Sequence, residues 1–98
     1  MLFHVTWSFV DRSEDGTKRS LAAFAAWQPP DDADFQGFYS FADGSGGVAI
    51  IEADSAATLA RTTAPWGPWL SFTTTPILPI EEGSAIAGEG IAFRDSVA

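Results

Sequence analysis

Cysteine is absent from this 98-residue sequence, and histidine, methionine and tyrosine each occur once. Without a thiol there is no disulfide framework, no thiolate metal site and no cysteine nucleophile, so packing alone must hold the fold. Basic residues are scarce too: five Lys and Arg stand against thirteen Asp and Glu, a formal charge of −8. A chain of that sign carries no footprint for nucleic-acid phosphate and is repelled by anionic membranes, so no nucleic acid and no membrane is expected as a partner. No apolar run approaches the roughly 20 residues of a membrane span. The start, Met1-Leu2-Phe3-His4-Val5-Thr6-Trp7, lacks the basic residues and long apolar core of a secretory leader. A cytoplasmic location is the expectation that follows.

What is present is apolar bulk. Hydrophobic residues make up 46% of the chain, with eight Phe and four Trp, too much for a disordered segment. For a mass of 10.4 kDa, area scaling leaves about 5,400 Å² exposed in a compact monomer, so one domain with a thin core is expected.

From Leu2 to Val10, Phe3, Val5, Trp7 and Phe9 alternate with His4, Thr6 and Ser8, the period of two that marks a strand. Asp11-Arg12-Ser13-Glu14 has an acceptor followed three residues later by Glu, and Leu21, Phe24 and Ala25 recur at helical spacing, so a helix is predicted from about Ser13 to Trp27 before Pro29-Pro30, with Gly16 a weak point in its first turn. Phe35, Gly37, Tyr39 and Phe41 alternate with Gln36, Phe38 and Ser40 in a second strand. Asp43-Gly44-Ser45-Gly46-Gly47 reads as a hairpin loop, and Val48 to Ala53 as a third strand. Asp54 occupies an N-cap position ahead of a second helix that must stop near Pro65. Leu70 to Leu78 is a Thr-rich fourth strand, with Pro76 limiting its end to an edge or a bulge.

The order β-α-β-β-α-β predicts an α+β, ferredoxin-like βαββαβ domain over residues 1–80, with a four-stranded antiparallel sheet and both helices on one face. Residues 81–98 form a C-terminal tail, expected either as a short helix and then an arm across a dimer or as a disordered segment. The other sheet face is left bare. With Phe3, Val5, Trp7, Phe9, Ala49, Ile51, Ala53, Leu70 and Phe72 under the helices, that bare face carries His4, Thr6, Gln36, Phe38, Val48, Ile50, Glu52, Thr73 and Thr75. It is too apolar for an ordinary wet surface, and a homodimer closing two such faces over a cavity is the physical expectation.

Met1-Leu2-Phe3-x-Val5-Thr6-Trp7, Glu52-Ala53-Asp54 after an apolar strand, Trp66-x-x-x-Leu70-x-Phe72 and Pro76-Ile77-Leu78 together resemble a bacterial family of short proteins built on a domain of unknown function. Such proteins resemble in turn the dimeric α+β barrel superfamily, which includes cofactor-free monooxygenases, haem-degrading enzymes, isomerases and stress-response barrels. The resemblance implies fold and dimer, and no particular chemistry. The chain departs from the family pattern at Pro65-Trp66-Gly67-Pro68 and in its Gly-rich tail.

The candidate site residues follow from the bare face. His4, the one side chain whose ordinary pKa is near neutrality, is the candidate general base, with Glu52 as its partner. Thr6, Gln36, Phe38, Tyr39 and Ile50 are the candidate ligand-binding residues. A hydrogen-bonded His4 under a dimer interface and a solvated or helix-capping Glu52 are the structural alternatives. The tryptophans Trp7, Trp27, Trp66 and Trp69 read as packing that supplements a thin core. Gly44-Ser45-Gly46-Gly47 leads into a strand and lacks the Lys of a phosphate-binding loop, so it is set aside. No cofactor and no metal set is expected, since one His without matched ligand spacing makes a poor metal site. The functional expectation is a homodimer that binds a small, partly apolar molecule or serves as an interaction module. The alternative is a cofactor-independent enzyme of monooxygenase or isomerase type with His4 as base.

Overall fold

The computed structural model describes residues 1–98. The elements run β1 (Leu2–Phe9), α1 (Glu14–Ala26), β2 (Ala33–Ser40), β3 (Gly46–Ala53), α2 (Ala56–Thr63), a 3₁₀ turn (Ala64–Trp66), β4 (Leu70–Pro76) and α3 (Ile80–Val97). The four strands form one sheet in the order β2-β3-β1-β4, every neighbouring pair antiparallel. This is the ferredoxin-like α+β arrangement the strand and helix order predicts.

Register sorts the two faces of the sheet. Phe3 lies opposite Ile51, and Val5 opposite Ala49, on the helix side; His4 lies opposite Ile50, and Thr6 opposite Val48, on the other. On β4, Phe72 lies opposite Trp7, and Thr73 and Thr75 opposite Thr6 and His4. The parity expected for β1, β3 and β4 therefore holds. On β2 it does not. A bulge between Phe35 and Gly37 inserts Gln36, so Phe38 falls opposite Ala49 and faces the helices with Phe35. One extra residue moves everything beyond it to the other face. The expectation of Phe38 on the bare face is corrected accordingly.

The core sits under α2, where Phe3, Val5, Ala49, Ile51, Ala53 and Leu59 form one cluster. Ser55 caps α2, its side chain accepting from the Thr58 amide. Asp54 therefore does not take that role. Thr58 is fully buried and donates to Asp32 Oδ2 at 2.6 Å, tying α2 to the segment before β2. At α1 the cap is Ser13, accepting from the Gly16 amide at 3.0 Å, while Asp11 accepts from the Ser13 amide at 2.9 Å. Gly16 is buried because the Asp11 carboxylate occupies the place where a Cβ would stand. That close approach explains a glycine that its first-turn position alone would disfavour. The inward side of α1 carries Gly16, Ser20 and Phe24, continued by Trp27 at the C-cap, and Leu21, though more exposed, also reaches the cavity wall; Ala25 points to solvent. In the β2–β3 turn Gly44 adopts φ 75°, which only glycine enters freely.

The tail is one continuous 18-residue helix, not a short helix and an extended arm. Glu81 and Glu82 in its first turn and Arg94 in its last complement the helix dipole. None of its residues is buried. It stands away from the body, and the molecule measures 59 × 29 × 20 Å with a radius of gyration of 17.6 Å, against about 13 Å for a compact chain of this length. Its surface, 6595 Å², exceeds the roughly 5,400 Å² of a compact monomer. The projecting helix and the bare sheet face account for the excess.

Candidate functional site

Two helices cover one sheet face, and they do so differently. α2 lies close to the sheet over small residues, with Ala53 at 0% exposure beneath Leu59. α1 is held off by rings. Phe24 and Trp27 project from α1, Trp66 from the 3₁₀ turn, and Trp7, Phe35 and Phe38 from the sheet. Phe38, Phe35, Trp27, Trp66 and Phe24 form a closed circuit, with centroid separations of 4.9, 5.9, 5.0, 6.4 and 6.0 Å in turn. Trp7 joins it edge-on to Phe38 at 5.6 Å. Such edge-to-face pairs are favourable, but rings meeting at their edges cannot fill the middle.

The result is a half-open cavity of 330 Å³ between α1 and the sheet, lined by 18 residues of which 14 are hydrophobic. No charged residue lines it; its polar members are Ser20, Ser40, Thr62 and Thr63. The volume lies in the range of small-molecule sites, about 300–1,000 Å³. Two of the threonine hydroxyls are already committed, Thr62 to the Thr58 carbonyl at 2.9 Å and Thr63 to the Ala60 carbonyl at 3.3 Å. Trp66 Nε1 donates to the Ser20 carbonyl at 3.3 Å, which fixes the indole against α1.

Gly47 shows how tightly the sheet side of this wall is set. A Cβ there would collide with the Trp7 indole and the Tyr39 carbonyl, so glycine lets the Trp7 ring lie flat across β3.

The residues singled out on the bare face are placed as follows. His4 is half-buried between Ile50 of β3 and Thr75 of β4, and its side chain makes no hydrogen bond. Glu52 accepts from the Met1 ammonium at 2.6 Å, and that ammonium also donates to the Ala53 carbonyl at 3.1 Å. The carboxylate is thus turned to the chain start and not to His4. Thr6 and Ile50 share the face with His4, while Gln36 is exposed at the bulge. Phe38 is in the cavity wall, whereas Tyr39, opposite Val48, turns its ring to the bare face beside Gly37 and Ile50, at the β2 edge where the cavity ends. The bare sheet face therefore gathers His4, Thr6, Ile50 and the Tyr39 ring, and the cavity gathers Phe38 with a set of aromatics that pattern reading assigned to packing. The signal that points to them is the number of large rings on a chain too short to bury them all: only Trp66 among the four tryptophans, and only Phe3 among the eight phenylalanines, is buried.

Two carboxylates have pKa values below the ordinary 3.8. Hydrogen bonds from Ser13 hold Asp11 down, and hydrogen bonds from Ser45 do the same for Asp43, with Arg12 adding a smaller attraction. Both belong to turns and neither lines the cavity. No group of three or more His, Asp or Glu side chains is arranged to hold a metal ion.

Fold and cavity together define an α+β protein with a ferredoxin-like sheet, one bare sheet face and an aromatic-walled pocket beneath its first helix. The model of the DUF3303 family, a domain of unknown function, matches residues 1–91, and the chain belongs to that family. No curated protein matches it. No helix is long and apolar enough to cross a membrane.

Proposed function

We propose that this chain forms a cytoplasmic homodimer that binds a small, largely apolar molecule in the pocket between α1 and the sheet. The observation that carries this reading is the uncharged, aromatic-walled cavity. A half-open apolar cavity of that size leaves ring surface in contact with water, and a ligand filling it removes that surface from solvent. The absence of charge in its walls disfavours an anion, which would lose hydration with no donor or counter-charge to replace it, and the apolar lining favours a neutral occupant.

The dimer is supported by what the monomer leaves exposed. Four strands about 4.8 Å apart and eight residues long present roughly 500 Å² on the bare face. α3 is about 27 Å long, and its apolar side, formed by Ile80, Ile86, Ile91, Phe93 and Val97, is 49–77% exposed. With that side added, the uncovered surface approaches the roughly 800 Å² per partner of a standard interface. By helical spacing Glu81, Glu82, Glu89 and Asp95 fall outside this apolar arc and Arg94 falls within it, so a second copy packing here keeps the acidic groups at or beyond the edge and meets the Arg94 side chain. The enzymatic alternative requires a partner for His4, and Glu52 is engaged elsewhere. Binding therefore takes precedence.

Sedimentation equilibrium at micromolar concentration tests the assembly: a particle of twice 10.4 kDa is expected, and a monomer overturns the dimer. Titration with naphthalene, followed by the indole Nε1–H signals in a ¹H–¹⁵N spectrum, tests the pocket. Saturable shifts at Trp7, Trp27 and Trp66 are expected, with Trp69, which is outside the cavity wall, unmoved. No saturable shift at those three indoles overturns the binding reading.

A further inference from the structure

Ser20 is the one polar side chain deep in the pocket wall whose hydroxyl is not already committed. The residue is 7% exposed and lies on the inward stripe of α1, one turn before Phe24. Its backbone carbonyl accepts from Trp66, but its Oγ makes no hydrogen bond within the protein. Every side-chain polar atom that is fully sealed has a partner. The Ser20 Oγ must therefore open onto the space it lines, which is the cavity. Thr62 and Thr63 have given their protons to helix carbonyls and can only accept, and Ser40 is exposed at the rim. The cavity thus offers one free donor low in an apolar, ring-lined wall, open to water until a ligand displaces it.

From this we infer that the pocket selects a neutral, flat, mostly hydrocarbon ligand carrying one oxygen acceptor, a ketone, ester or ether, to which Ser20 Oγ–H donates. This rests on the pocket-binding reading above and adds the ligand class and the residue that sets it. A hydrocarbon that displaces water from the Ser20 hydroxyl leaves that donor without a partner, a cost that a carbonyl-bearing ligand avoids. A site built this way discriminates by the presence of the acceptor, as hydrogen-bonding pockets do, and by flatness through the aromatic walls. Ligand anions are disfavoured, since the wall has no counter-charge for them, whereas a quaternary ammonium, which aromatic faces attract, is the competing class against which the neutral ligand is tested.

The test compares naphthalene, 2-acetylnaphthalene and benzyltrimethylammonium on the full chain and on Ser20→Ala, with affinities taken from the indole Nε1–H shifts. The keto compound is expected to bind the native chain about three- to tenfold more tightly than an acceptor-free probe would by added area alone, the range of one net hydrogen bond. Ser20→Ala is expected to lose that margin, the preference for the ketone over naphthalene falling by about three- to tenfold. If both naphthalenes bind and Ser20→Ala leaves the ratio of their affinities unchanged, the pocket stands and the Ser20 assignment fails. If neither binds, the pocket-binding reading itself fails. Tighter binding of the ammonium probe than of the ketone overturns the neutral ligand class. A Ser20→Thr variant, which keeps the hydroxyl, separates loss of the donor from disturbance of α1: it should retain the preference for the ketone.

Discussion

α1 and α2 cover the same face of the same sheet, yet one closes a core and the other roofs a cavity. The difference is side-chain size. Under α2 the sheet presents Ala49 and Ala53, and the helix answers with Thr58 and Leu59, so backbones approach closely and the void disappears. Under α1 the sheet presents Trp7, Phe35 and Phe38, and the helix side answers with Phe24, Trp27 and Trp66. Six large rings meeting largely edge to face keep the layers apart without filling the gap. Close packing is a property of complementary volumes and not of apolar content, which is higher on the α1 side.

The largest effect separating the two halves should come from truncating their central apolar residues. Ile51 is 1% exposed in the core cluster with Leu59 of α2 and forms the floor where that core meets the cavity, and Ile51→Ala should cost about 2–5 kcal/mol in urea unfolding at fixed protein concentration. Phe24 is 51% exposed over the cavity, so Phe24→Ala should cost under about 1.5 kcal/mol although it removes more atoms, and should weaken naphthalene binding. Equal losses in the two variants would mean that α1 is packed as firmly as α2.

A smaller difference is expected at the caps. Ser55→Ala removes the α2 cap and should lower global stability by about 1 kcal/mol, because α2 is part of the core. Ser13→Ala removes an equivalent bond from α1, but there the loss should appear as faster hydrogen exchange of the first α1 amides with little change in the unfolding midpoint. A matching global loss for Ser13→Ala would again place α1 in the same cooperative unit as α2.

The smallest effect is acid sensitivity at the α1 end of the molecule. Asp11 and Asp43 have folded pKa values below 3.8, so the unfolded chain binds protons more readily. Their stabilising contribution is complete above that value and is lost as pH falls through the folded pKa values. Carboxyl chemical shifts followed from pH 6 to pH 2 should show both midpoints below 3.8. Asp11→Asn and Asp43→Asn should flatten the acid limb of stability below about pH 4. A midpoint at or above 3.8 for either residue contradicts its hydrogen-bonded turn.

The face assignments of β1, β3 and β4 were legible because alternation along a regular strand is geometric. Phe38 was not, because a bulge is a single uncounted residue and nothing in Phe35-Gln36-Gly37-Phe38 marks where the ladder will slip. The inward stripe of α1 was half legible: Phe24 belongs to it, whereas Gly16 and Ser20 face inward for reasons of fit, to the Asp11 carboxylate and the Trp66 indole, that composition does not express. Of the residues proposed for a site, His4 and Glu52 share a sheet face, but the side-chain partner of Glu52 is the Met1 ammonium, 51 positions away in sequence.

By itself the sequence determined what must be true of any packing of this chain: no thiol chemistry, a strongly acidic surface, a βαββαβ order with one bare sheet face, and more aromatic bulk than a thin core can hide. These are matters of composition and period, which do not depend on distance. Only the tertiary structure decided where that aromatic bulk goes. The spacing between α1 and the sheet is set by the volumes of rings that are distant in sequence, Trp7 and Trp66 among them, and a cavity exists only as the difference between those volumes and the space they enclose.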